Sequence, residues 1–375
     1  MRSSRSLPGG LTLNHFASFE SVETIWRDLE AEAACYGFQS YDWLSNWYRC
    51  VGTHQQMEIH IVVVFDADQA VLLLPLARES RDHLTRLVWL GGDITDYRGP
   101  LIRNSAGDAF SREQFTAIWQ EVHRILPPVD IIELLQQPEW IAGKRNPFAT
   151  YLACQPGHQA FVARLEESFE VHYQQRVNAK GRSTDRRKER RIQDSGELVF
   201  RVVRGGTGSV ELLRALGEQK AHNAAKKNQG NVLALPGMPD FVQVMTENHS
   251  GDGFIHLSTL ELDGEPLAIH WGMTYRGRFH HLLPSYTSGS NRQYSPGRLH
   301  LLRMLRWCHD NRISLYDFTI GDEDYKKVWS NETIVLFDHK CGVSWRGRIA
   351  VFSAKAKSSL KKQIRKIWRS EPDTT

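Results

Sequence analysis

Apolar positions fall into two stretches of the chain with a similar order of predicted elements. Ser21–Ala34, glutamate-rich and preceded by the apolar Phe19, predicts a helix. FQSYDWLSNWYRCV (Phe38–Val51) predicts a second, with Trp43, Trp47 and Tyr48 as its aromatic positions. IHIVVVF (Ile59–Phe65) and AVLLLPLA (Ala70–Ala77), separated by DADQ, predict a hairpin. Short strands at Leu87–Leu90 and Leu101–Ile102 flank the turn-rich GGDITDYRGP. A helix over Ser111–Leu126 and a buried-type strand over Val129–Leu135 complete a mixed α/β unit.

The second stretch opens with a long polar helix over about Glu166–Gln193, interrupted near Gly181. A strand at Leu198–Val203, a helix at Val210–Ala225, a Pro/Gly loop near Pro236–Pro239 and a helix at Phe241–His249 follow. Three alternating runs, Gly253–Leu262, Pro266–Tyr275 and Phe279–Tyr286, are joined by LDGEP and YRGRF and predict a meander. Next come YSPGRLHLL, a helix over about Gly297–Asp310, a buried strand over Ile313–Phe318, and strands at Thr333–Phe337 and Ile349–Phe352. QPGH (Gln155–His158) marks the expected boundary, so the expected units are 1–157, 158–352 and a basic tail, 353–375. The repeated element order points to two duplicated domains.

In YSPGRLHLL, Pro296 fixes φ where a helix begins and Gly297 allows a close backbone approach. The helix N-terminus offers free amides and a positive dipole end to phosphate oxygens, and Arg298 adds a charge. Taken alone, Ser-Pro-Gly more often merely starts a helix than holds an anion. Its setting, strand–turn–helix–strand, gives the second reading weight.

Composition narrows the class. The chain has 375 residues, of which 41% are hydrophobic and 24% charged, and no apolar run spans the ~18 residues a bilayer requires. The arginines near the start precede no continuous apolar segment, so a cytoplasmic protein is expected. Five scattered cysteines suit reduced thiols, and the sixteen histidines show no metal-binding pattern. The net charge of +4 suits acidic partners. It is concentrated in RVNAKGRSTDRRKERR (Arg176–Arg191), with eight basic and two acidic residues, and in the tail.

GFIHLSTLELDGEPLAIHWGM, YSPGRLHLLRML and DFTIGDEDYKKVW together resemble the CelD-like, cellulose-biosynthesis-associated acetyltransferases of the GNAT superfamily, relatives of the FemAB transferases. The family pattern is met by Ser295–Pro296–Gly297, Asp317–Phe318, Gly321 and Tyr325–Lys326, and the resemblance covers about Ala160–Val351. One departure is the absence of the second glycine of the general GNAT phosphate loop, which the CelD-like pattern shares. The resemblance implies an α/β (α+β) fold of two tandem GNAT-like domains, each a mixed, mostly antiparallel sheet flanked by helices. It implies acetyl-CoA, or another acyl-CoA, in a V between Phe279–Tyr286 and Ile313–Phe318. Ser295, Pro296, Gly297, Arg298 and Leu299 would seat the pyrophosphate, and the first domain, lacking an S-P-G equivalent, would be structural or acceptor-binding.

Acyl transfer needs a deprotonated nucleophile, support for an oxyanion and a proton for the leaving thiolate. Tyr325 is the candidate acid under that resemblance, weighed against a packing tyrosine. Asp317, at the end of a buried strand, is a candidate base or orienting group, weighed against an aspartate paired with Lys326 or Lys327. Lys326 is a candidate oxyanion or anion contact, and His281 or His270 a candidate base. The acceptor is expected to be a small-molecule or saccharide amine or hydroxyl.

Two other functions compete: aminoacyl transfer from tRNA, with Arg176–Arg191 as the RNA contact, and a non-catalytic binding module. No DNA-binding module is present in the sequence. In the tail, Leu360, Ile364, Ile367 and Trp368 recur at helical spacing among lysines and arginines, a candidate contact with an anionic membrane surface or, equally, a helix docked on its own domain.

Overall fold

The structure is a computed structural model and describes residues 5–105, 110–249, 251–354 and 356. The expected tail helix, with Leu360, Ile364, Ile367 and Trp368, lies outside the described residues. The first half holds β1 (Leu11–Phe16), α1 (Glu23–Glu32), α2 (Tyr41–Trp47), β2 (Glu58–Asp66), β3 (Gln69–Arg81), β4 (Leu84–Trp89), α3 (Arg112–Ile125) and β5 (Ile131–Pro138). After β6 (Gln155–Arg164) come α4 (Phe169–Arg176), α5 (Ala179–Gln193), β7 (Leu198–Val203), α6 (Thr207–Lys227) and α7 (Met238–Asn248). The chain continues through β8 (Ile255–Leu262), β9 (Glu265–Tyr275), β10 (Arg278–Tyr286), α8 (Pro296–Asp310), β11 (Leu315–Ile320), α9 (Asp324–Trp329) and β12 (Glu332–Gly342).

The fold is mixed α/β, with helices flanking a large mixed sheet. Each half builds a three-strand antiparallel meander, crosses over through a helix and returns in a parallel strand. These units are β2–β3–β4–α3–β5 and β8–β9–β10–α8–β11. The two meanders belong to one continuous sheet, ordered β1-β2-β3-β4-β5-β12-β6-β11-β10-β9-β8-β7 along its main path, with the two-residue strand Arg5–Ser6 paired on the outer edge of β1. The join is made by strands far apart in sequence. β12 pairs antiparallel with β5 of the first half and with β6, and β6 pairs with β11. The boundary expected at Gln155–His158 therefore falls inside a strand, β6.

Local chemistry explains the main differences from the expected elements. The long polar helix is two helices, because Asn178 caps the second by accepting from the Gly181 amide at 2.8 Å. The strand expected at Ile349–Phe352 is helical, within residues 345–354. β6 was not anticipated: only Ala160–Ala163 is a fully buried apolar run, and Pro156–Gly157 reads as a turn. It becomes a strand because it is paired on both edges.

α8 carries the site, and its sequence accounts for its place. Leu299, Leu301, Leu302, Met304, Leu305 and Cys308 are buried along it, and it packs across β8, β9 and β10. Burying each leucine contributes about 1.5–3 kcal/mol. Pro296 opens the helix at a position that needs no N–H.

Candidate functional site

β10 and β11 are parallel neighbours over only three residue pairs, Arg278 with Leu315, Phe279 with Tyr316 and His280 with Asp317. Beyond His280 the strands part: no further backbone pair joins them, and Thr319 Oγ1 of β11 still donates to the His281 carbonyl at 3.3 Å. A cavity of 520 Å³ lies at this opening. It is floored by β10, bounded by the start of α8, and closed by α6 on one side and α9 on the other.

The Ser-Pro-Gly turn lines the cavity in a form different from a bare helix N-terminus. Ser295 takes φ +55° and makes no side-chain cap; its hydroxyl instead accepts from Lys188 Nζ of α5 at 2.6 Å. The amides of Arg298 and Leu299 both turn back onto the Ser295 carbonyl, at 2.9 and 3.2 Å. Arg298 is held by Asp185 in a two-pronged ion pair at 2.6 and 2.8 Å and stands over the Trp329 ring. Its charge is thus largely compensated within the fold. Gly297 lets α8 sit on β10: a Cβ there would lie 3.2 Å from the Tyr286 ring.

The cationic character comes instead from residues the motif did not point to. Lys220 and Lys227 of α6 and Arg292 line the same cavity, with Glu323 as its one acidic lining residue. Burial and the neighbouring Lys227 push the Lys220 amine below the usual lysine range. Lys220, Asn223, Ala224 and Lys227 recur at i, i+3, i+4 and i+7, a one-face helical pattern that was readable in the sequence. α6 is fixed over the opening by Asn223 Nδ2, which donates to the Tyr286 carbonyl at 2.9 Å. Ser285 Oγ, in turn, donates to Gln219 Oε1 at 2.7 Å.

The candidate chemical groups separate into two sets. Tyr325 and His281 both line the cavity, their rings 6.4 Å apart. The Tyr325 hydroxyl makes no hydrogen bond to another described residue. Burial, with Glu323 and Tyr286 adding to it, raises Tyr325 well above the ordinary tyrosine value, so it stays protonated. His281 shares a hydrogen bond with Tyr316 Oη through Nδ1 at 2.8 Å, and burial holds it neutral, lowered well below the usual histidine value. Behind it, His270 stacks at 4.2 Å. His270 is fully buried with both ring nitrogens unpaired, away from the cavity lining.

Asp317 and Lys326 lie elsewhere. Asp317 is 0% exposed and does not line the cavity. Its carboxylate accepts from Tyr97 Oη at 2.9 Å, Arg278 Nη1 at 2.9 Å and the Thr319 amide at 2.8 Å. The expected partner, Lys326 or Lys327, is thus Arg278, which the parallel register of β10 and β11 brings alongside. Burial raises Asp317 despite these donors. Because Tyr97 belongs to GGDITDYRGP, this carboxylate ties the two halves together. Lys326 is also buried; its ammonium donates to the Ile320 carbonyl and pairs with Glu323 at 3.2 Å. Gly321, at φ +147°, makes room for this contact, since a Cβ there would fall 2.4 Å from Lys326 Nζ.

In the first half, described residues at and after the equivalent parallel pair, β4 and β5, put aromatic rings in the corresponding place. Trp89 at the end of β4, Phe115 of α3 and Phe148 after β5 are buried together. Phe148 lies 5.0 Å from Trp89 and 5.1 Å from Phe115, edge-on to both. Three aromatic rings stand where the second half has His281, the start of α8 and Tyr325.

Residues 179–327 match the family model described as an acetyltransferase (GNAT) domain. The fold is similar to the crystal structure of FemX, at a TM-score of 0.57 and 11% identity over 86% of this chain and 96% of that one. It is also similar to the C-terminal domain assigned to a lysylphosphatidylglycerol synthetase of Agrobacterium fabrum, at 0.53 and 11% over 90% and 96%. L-PGS from Bacillus licheniformis gives 0.50 and 10% over 85% and 90%. No curated protein matches the chain. At such identities the structural likenesses speak for the fold alone.

Proposed function

We propose that the protein is an acyltransferase that moves an acyl group from acyl-CoA to an amine or hydroxyl acceptor in the second-half cavity. The observation that carries this reading is the parting of β10 and β11 beside a cationic cavity that also holds Tyr325. The lining fits such a donor. Lys220, Lys227 and Arg292 suit a polyanionic phosphate group, and the parted strand backbone suits an amide-rich arm. Acyl-CoA supplies an activated thioester carbonyl when bound. Tyr325, kept protonated, donates the proton that a departing thiolate needs. His281, held neutral by burial and oriented by Tyr316, serves as a hydrogen-bonding group that positions the acceptor, since burial makes it a weak base. Asp317 and Lys326 act as positioning residues: the first fixes β11 against β10, the second fixes the turn that leads to Tyr325. A saccharide is the acceptor class that the CelD-like resemblance favours.

The test is calorimetric titration with acetyl-CoA, on the parent and on Lys220→Met/Lys227→Met. Removing two phosphate contacts should weaken binding by at least about tenfold and flatten its salt dependence. Equal affinity in the two proteins would remove α6 from the site.

A second reading, aminoacyl transfer from tRNA, is favoured by α5. Its Asp185, Lys188 and Glu189 pack toward α8, while Arg186, Arg187, Arg190 and Arg191 face solvent as a basic ridge. Salt-sensitive tRNA binding without acetyl-CoA binding would select that function. A folded protein that binds neither would select the non-catalytic module.

A further inference from the structure

The helix over residues 345–354 shows an apolar face that no described residue covers. On residues 345–354, Trp345, Ile349 and Phe352 are 72%, 59% and 75% exposed. Their spacing, i, i+4 and i+7, puts them on one side of the helix. The opposite side is anchored. Ser344 Oγ donates to Asp130 Oδ1, and the Val343 amide donates to the Asp130 carbonyl at 2.8 Å. Gly347 lies so close to that carbonyl that a Cβ would fall 1.8 Å from it. Val351 is buried. The helix is therefore seated with its direction fixed, and its large side chains point away from the protein.

The sequence says what kind of surface this face meets. Apolar positions continue at the same spacing through Ala356, Leu360, Ile364 and Ile367. Between Arg346 and Arg369 there are nine Lys or Arg residues and no Asp or Glu. A protein-binding stripe needs no such one-sided charge, and a second copy of the same basic segment would be repelled. Aromatic and aliphatic side chains flanked only by cations match the acyl-chain boundary and anionic headgroups of a lipid bilayer. No helix among the described residues is long and apolar enough to cross a membrane, so the contact would be made from one side.

We propose that the helix from Trp345, with the basic segment that follows it, docks the protein on an anionic lipid surface. This inference is independent of the chemistry assigned to the cavity. It is tested by co-sedimenting the full chain with phosphatidylcholine vesicles, with and without phosphatidylglycerol, at low and high salt. Binding is expected only to the anionic vesicles and is expected to fall as salt rises. Trp345→Ser/Ile349→Ser/Phe352→Ser should weaken it by at least about tenfold. The urea midpoint should not move, because the three side chains make no core contact. Three results would each overturn the proposal: no vesicle binding, equal binding to neutral vesicles, or unchanged binding by the triple variant. A dimer in solution that the triple variant splits would also overturn it and assign the stripe to a second copy.

Discussion

Acidification should destabilise this protein steeply, and the buried histidines set the amount. Burial pushes His256 and His300 down to about 3, with His300 and Arg204 adding to the effect at His256. Burial likewise brings His60 and His172 down to about 4, from an ordinary value of 6.5. All four are nearly inaccessible, at 3%, 4%, 6% and 1% exposed. In the folded state they stay neutral at mild acidity, whereas in the unfolded chain they take up protons. The stability is therefore complete above about pH 6.5 and is lost as the pH falls toward the folded values. From about pH 7.5 to about pH 5.5 each histidine costs at most about 1 kcal/mol, roughly 3–4 kcal/mol for the four. Asp96 works in the opposite direction. Burial raises it to about 6, so over the same interval it returns less than about 1 kcal/mol. The remaining loss is a sizeable share of the whole stability of an ordinary domain, roughly 5–15 kcal/mol. Urea unfolding followed by tryptophan fluorescence at the two pH values measures it. His300→Asn, whatever it does to stability itself, should reduce the pH-dependent part by about 1 kcal/mol. Coincident unfolding curves at the two pH values, or a pH dependence untouched in His300→Asn, would refute the reasoning.

Tyr325→Phe should lower the turnover of acetyl-CoA roughly 10²-fold while leaving its binding heat in place, as steady-state rates and calorimetry together would show. Asp317→Asn leaves Arg278 buried without its counter-charge and should cost about 3–5 kcal/mol in urea unfolding; a loss below about 1 kcal/mol would deny that this carboxylate ties the halves. Gly297→Ala brings a Cβ to 3.2 Å from the Tyr286 ring, which must shift slightly. A helix-propensity gain of about 0.5–1 kcal/mol offsets this, so the net stability loss should stay below about 1 kcal/mol while acetyl-CoA affinity falls. A fully neutral change would mean that α8 is not clamped on β10 there.

Much of the second half could be read from its sequence, because its information is local. LDGEP and YRGRF mark the turns of the meander, and Pro296 marks the start of α8. What could not be read depends on register between distant segments. Asp317 meets Arg278, 39 positions earlier, only because β10 and β11 run parallel. Tyr97 reaches the same carboxylate across 220 positions from a stretch that reads only as a turn. The cavity cations have a legible helical spacing, but that they face the Ser-Pro-Gly turn is a matter of tertiary packing, since Lys220 and Lys227 lie on α6 and the turn opens α8. At Ile349–Phe352, β-branched residues suggested a strand, although Trp345, Ile349 and Phe352 already had helical spacing.

The insertion of β12 between β5 and β6 has a consequence for the order in which the protein is made. On the ribosome, residues up to Pro138 emerge with β5 still lacking the neighbour it has in the finished sheet, since that neighbour is residues 332–342. Nearly two hundred residues must be added before this edge is capped, at about 5–20 residues per second. During that time an apolar strand edge stands open to other chains. β6, which also waits for β12, is the piece that carries the nascent chain from one half to the other. The first half thus becomes complete only once residues 332–342 have been made, and a nascent chain stalled before Glu332 should be a substrate for chaperones rather than a finished domain.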